Sequence, residues 1–155
     1  MGAKVKLDEI LTSMEMQSSD NIDLLQRKTG NVISVLSEYM TKAEDGEPFD
    51  DMYGWEQEQM ELAYDILENE ENYIELPDEF DIHEYRIIEE FCYTVENEAA
   101  KNKLLRAIRG RGAFRRFRDN IEDLDLEQNW YAYRDERYKE IARGFCEKYG
   151  LKWVE

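Results

Sequence analysis

Five arginines stand within ten residues, Arg109, Arg111, Arg115, Arg116 and Arg118, in the run RGRGAFRRFR. Guanidinium forks grip phosphate or carboxylate oxygens in pairs, and Gly110 and Gly112 let backbone N–H groups approach an anion where a helix begins near Ala113. The chemistry on offer is anion recognition. The run is no Walker loop, since GxxxxGK[ST] is absent, and GRG lacks the third glycine and preceding strand of a dinucleotide fingerprint. Lys101, Lys103 and Arg106 extend the stretch, so no carboxylate lies between Ala100 and Arg118 in a chain of formal net charge −17. With eight of the 20 basic residues gathered there, the rest of the molecule carries roughly −25, an arrangement that makes a bipolar surface. Two readings follow. The arginines either meet an anionic partner or serve as internal counter-charge to the acidic helical segments Trp55–Asn69 and Asp81–Glu98.

A second group, Trp130, Tyr133, Arg134 and Arg137, mixes aromatic and basic residues at helical spacing. It reads as the core face and the ion-paired face of one amphipathic helix, with an aromatic ligand box as the alternative. Catalytic material is scarce. The single histidine, His83, cannot build paired metal sites, and Asp45, Glu47, Asp50 and Asp51 lack the ligand spacing of a calcium loop. Cys92 and Cys146 sit among apolar neighbours at helical spacing and read as buried free thiols, so no nucleophile with a base is in view. No metal or cofactor is expected.

The elements that must hold these residues follow from periodicity. Leu7, Ile10, Leu11 and Met14 mark a short helix. Apolar runs containing Ile22, Leu24, Val32, Ile33 and Val35 flank Lys28-Thr29-Gly30-Asn31, which predicts a hairpin over 22–36 with Gly30 at positive φ. Tyr73–Leu76 alternates and should add a third strand, because two strands alone are marginal in water. The loop GEPFDDMYG precedes a helix over 55–69, with Gln59, Leu62, Ala63, Ile66 and Leu67 inward. Helices follow at 81–98, capped by Asp81 with Tyr85, Ile88, Cys92 and Val95 inward, and at 101–109. The next starts at Ala113 with Phe114, Phe117 and Ile121 inward; the last starts near Leu126 and ends at Gly150. An extended tail, Leu151–Val154, either covers the core or pairs with a strand edge. The expected fold is one α+β domain, mainly helical: a helical bundle with a small antiparallel sheet.

The run RGRGAFRRFRD, followed by Trp130-Tyr131 and Arg134-Asp135-Glu136-Arg137, resembles a small bacterial group, the uncharacterised protein family UPF0158. The resemblance extends to LDEIL, to the hairpin with Lys28-Thr29-Gly30, and to Tyr73-Ile74-Glu75-Leu76-Pro77 before Phe80-Asp81. It implies an architecture; the family brings no assigned activity and no functional residues.

These residues point first to a non-enzymatic interaction or regulatory protein with a protein partner, since a bipolar surface without a catalytic constellation suits recognition. A nucleic acid or phosphorylated small molecule on the arginine run is the alternative, and a hydrolase the third reading. The N-terminus MGAKVKLDEI has no signal-like apolar stretch and no segment is long enough to span a bilayer, so a cytoplasmic location away from membranes is expected.

Overall fold

The computed structural model describes residues 3–155, whose contacts divide them into two compact units. The first unit holds the residues up to Asp78 together with Ala142–Glu155, and the second holds Glu79–Ile141.

In the first unit, β1 (Val5–Lys6) leads into α1 (Leu7–Glu15), which buries Leu7, Ile10 and Met14 at helical spacing. Strands β2 (Asn21–Gln26) and β3 (Val32–Leu36) form the expected hairpin, with Ile22 opposite Val35 and Leu24 opposite Ile33. Gly30 takes φ +75 in its turn, and a Cβ there would lie 2.6 Å from the Lys4 carbonyl oxygen. Only glycine meets both demands. Strand β4 (Tyr73–Glu75) pairs antiparallel with β2, so the sheet order is β3-β2-β4 and the third strand sits where its unpaired backbone groups required. On one sheet face Leu24, Val35 and Tyr73 join Tyr39, Met40 and Ala43 of α2 (Ser37–Glu44) and Met60, Ala63 and Ile66 of α3 (Gly54–Glu68) in a common core. The inward stripe of α3 is centred on Met60, and Gln59 lies at its margin, where its side chain accepts the Leu36 N–H at 2.9 Å. The expected stripe was therefore rotated by part of a turn. The extended tail forms β5 (Trp153–Val154), parallel to β1, with Val5 opposite Trp153.

The second unit is helical. Its elements are α4 (Glu79–Ile82), α5 (Glu84–Thr94), α6 (Glu98–Ala107), α7 (Ala113–Asp123) and α8 (Glu127–Lys148), the last belonging to this unit as far as Ile141. The helix expected over 81–98 is broken, because His83 adopts left-handed φ 54 and ψ 62 and separates α4 from α5. Asp81 accordingly lies inside α4, the N-cap position of α5 falls to His83, and the inward face of α5 is Ile87, Ile88, Phe91 and Cys92. Tyr85, expected inward, is 43% exposed. Helix α6 starts at Asn97, whose side chain accepts the Ala100 N–H at 2.9 Å. Gly110 and Gly112, both left-handed, end one helix and admit the next. Inside the unit, Trp130 packs edge-on against Phe117 at 5.0 Å and Phe91 at 5.4 Å, and Phe91 meets Phe117 at 6.1 Å. Each such pair adds about 0.5–1.5 kcal/mol beyond its area burial, so this trio locks α5, α7 and α8 together. The whole is α+β and mainly helical, with a three-stranded antiparallel sheet.

Candidate functional site

The arginine run occupies the corner between α6 and α7. Arg109 and Arg111 lie in the connecting loop, Arg115 and Arg118 on α7, and all four are exposed. None of these four guanidinium groups has a hydrogen bond or ion pair among the described residues. Arg116 differs in kind. Half-buried, it donates from Nε to the Ala107 carbonyl at 2.8 Å and from its two terminal nitrogens to the carbonyls of Arg109 and Arg111. The last carbonyls of a helix lack internal partners, and here a cation supplies them. Internal counter-charge was one expectation for Arg115, Arg116 and Arg118; Arg116 is internal, but its partners are backbone carbonyls and no carboxylate. Its packing also explains Gly112, where a Cβ would approach Arg116 Nη1 to 3.0 Å.

The acidic face of α5 is neutralised from α8 instead. Arg134 Nε pairs with Glu84 at 2.8 Å, Nη2 donates to the Tyr138 hydroxyl at 2.8 Å, and the guanidinium lies 4.2 Å from the Tyr138 ring centre. Tyr138 completes the triangle by donating to Glu84. Arg137 pairs with Glu90, which also pairs with Arg86 at 3.3 Å. Trp130 is buried, and half-buried Tyr133 packs on Phe91 at 5.5 Å. Burial raises the Tyr133 phenol above its ordinary range, with Glu140 adding to the shift. Of the sequence-selected residues, this second group is thus core and ion-paired face, and the open arginines are left as the candidate site.

Helix α7 is charged against its own dipole. Arg115 and Arg116 occupy its first turn, and Glu122 and Asp123 its last, with no acid at the start and no base at the end. A helix favours the reverse by roughly 0.3–1 kcal/mol per charge. Arg116 recovers this through its three carbonyls; Arg115 recovers nothing.

Beside these arginines lies a cleft of about 410 Å³, lined by Phe114, Phe117, Trp130 and Tyr131, with Arg118, Arg134 and Glu84 also contributing. Phe114, expected inward, is 51% exposed, and Tyr131 is 59% exposed. The buried stripe of α7 runs Ala113, Phe117, Ile121 at intervals of four, which leaves Phe114 on the flank with its ring edge-on to Tyr85 at 6.5 Å. An aromatic wall next to open guanidinium groups thus stands where the sequence kept an aromatic ligand box only as the alternative and turned Phe114 inward.

In the first unit a smaller cleft of about 220 Å³ contains Ser13, which is buried and donates to Asp23 Oδ2 at 2.6 Å. Asn21 also donates to Asp23, at 3.2 Å. This contact ties α1 to β2. Cys92 and Cys146 are free and fully buried. Among the described residues no three His, Cys, Asp or Glu side chains converge as a metal ion requires, and no helix is long and apolar enough to cross a membrane.

No curated protein and no solved structure matches the chain. A family model does, over residues 49–154, a stretch that holds α3, β4 and the whole second unit with its arginine corner. The N-terminal helix and the hairpin, which shared in the resemblance, precede the matched residues. More than half of the sequence is covered, and the chain belongs to the uncharacterised protein family UPF0158.

Proposed function

We propose that this chain is a non-enzymatic interaction protein that docks an anionic partner on the corner between α6 and α7. One observation carries the reading: Arg109, Arg111, Arg115 and Arg118 are exposed and unpartnered among the described residues of a protein with 37 carboxylates. With so many acids available, four neighbouring cations left open to water supply an attractive patch on an otherwise repulsive surface, which selects and orients a negatively charged partner. The inverted charge of α7 supports the same reading, because local rules are broken most often where function requires it. The two buried free thiols suit a reducing compartment, and we place the protein in the cytoplasm.

The test is a titration with labelled polyanions across salt concentrations. Affinity should fall steeply with salt, in proportion to the arginines engaged, and Arg111→Ala or Arg115→Ala should weaken binding without moving the melting temperature. Salt-independent binding, or full binding by the Arg109, Arg111, Arg115 and Arg118 quadruple alanine variant, overturns the proposal.

A further inference from the structure

We infer that the cleft formed by α5, α7 and α8 is a stacking site for an unpaired nucleobase, and that the partner docked on the arginine corner is single-stranded nucleic acid. This rests on the reading of the corner as an anion-docking surface and names its ligand.

The cleft has the required parts in order. Phe114 and Tyr131 line it and are 51% and 59% exposed, so each presents aromatic surface to water that a base would exclude. Its inner wall, Phe117 and Trp130, is held by edge-on contacts at 5.0 Å, so the shape exists before any ligand arrives. A volume of about 410 Å³ falls in the range of about 300–1,000 Å³ typical of ligand pockets. Arg118 lines the same cleft without a partner, four residues along α7 from Phe114, and Arg115 follows Phe114 directly. A base seated on the aromatic wall would thus keep its phosphates beside open guanidinium groups. The carboxylate in the cleft is no obstacle, because Glu84 is already held by Arg134 and Tyr138.

These features choose among anions. An acidic peptide would satisfy the arginines and leave the aromatic wall wet. A duplex would offer phosphates, but its bases are stacked away from the cleft. A single strand presents charge beside flat ring, as Phe114, Arg115 and Arg118 do on α7.

The experiment measures binding of the full chain to a labelled ten-nucleotide single strand, to the abasic phosphodiester of the same length, to the corresponding duplex and to polyglutamate. Base stacking is worth about 5- to 150-fold per base, so the base-bearing strand should bind at least about 5-fold tighter than the abasic one. Phe114→Leu with Tyr131→Leu should abolish that ratio while keeping the abasic affinity and the melting temperature. If the double variant is destabilised, Tyr131→Leu alone serves, since that residue is the more exposed of the two. Equal affinity for base-bearing and abasic strands overturns the stacking site and leaves the docking corner intact. Binding of polyglutamate or duplex in preference to the single strand overturns the identity of the partner, and failure of every polyanion to bind at low salt overturns both readings.

Discussion

Arg116 and Arg115 are adjacent and identical in type, yet the fold gives them opposite work. Arg116 closes the end of α6 and its loop through three carbonyls, and Arg115 makes no hydrogen bond or ion pair among the described residues. Arg116→Ala should therefore cost about 1–3 kcal/mol, because three carbonyls would lose a charged hydrogen-bond donor, whereas Arg115→Ala should stay within about 0.5 kcal/mol of the parent. Chemical denaturation of the two variants measures the difference, and equal stabilities would contradict the clamp. Gly30 makes a second sharp case. Alanine there combines left-handed strain with a Cβ 2.6 Å from backbone, while Gly46, at φ +71, has open space around it. Gly46→Ala should cost about 1 kcal/mol from strain alone, and Gly30→Ala clearly more, because the Lys4 carbonyl cannot yield without moving β1. Melting curves decide it, with equal losses refuting the steric argument. At this scale the sequence announced the arginine cluster and the turn glycine. It did not say which arginine turns inward, since that depends on the left-handed pair Gly110 and Gly112 aiming the loop carbonyls. Phe114 was misplaced for a similar reason: a spacing of three with Phe117 looked like one face, but the stripe of α7 follows spacings of four.

Among elements, α7 holds the most instructive conflict. Its basic start and acidic end oppose the helix dipole, so Arg115→Glu, which puts an acid in the first turn, should stabilise the protein by about 0.3–1 kcal/mol. The same substitution should sharply weaken polyanion binding. A rise in melting temperature together with lost affinity is the expected pair of results; a drop in stability would show that Arg115 has a structural role. Long elements were legible from their periodicity: α1, the hairpin and the start of α7 lie where apolar spacing and glycines put them. The short strands β4 and β5 also lie where an alternating segment and an extended tail put them, whereas the split of α4 from α5 turns on His83 taking a left-handed conformation that no residue type demands, and β1 is a two-residue strand too brief to alternate. The aromatic cleft was illegible because its lining comes from three helices whose rotation no single segment reveals.

For the molecule as a whole, titration at high pH is the strongest lever besides salt. Burial pushes the Cys92 and Cys146 thiols from an ordinary 9.0 up to about 11, and the Tyr39, Tyr73 and Tyr133 phenols are raised as well, chiefly by burial. Each of these groups is neutral when protonated, so the folded state holds its proton more tightly than the unfolded chain. Their contribution is complete below pH 9 and is lost as pH climbs toward 11, so denaturation midpoints should be level from pH 7 to 8.5 and then fall steadily. A flat profile to pH 11 would show that these groups are accessible after all. Thiol reagents should likewise label neither cysteine quickly in native buffer and both after unfolding. The pairing of β1 with β5 has a consequence of another kind. Val5 donates to the Lys152 carbonyl at 2.8 Å, so the first unit is assembled from two stretches of chain with the second unit inserted between them. On a translating ribosome the 79–141 segment emerges ahead of Trp153 and can fold first, while Val5 waits for its partner strand to come out. Synthesis thus inverts the usual order: the inserted unit is expected to gain amide protection in stalled nascent chains before the unit that the N-terminal residues began.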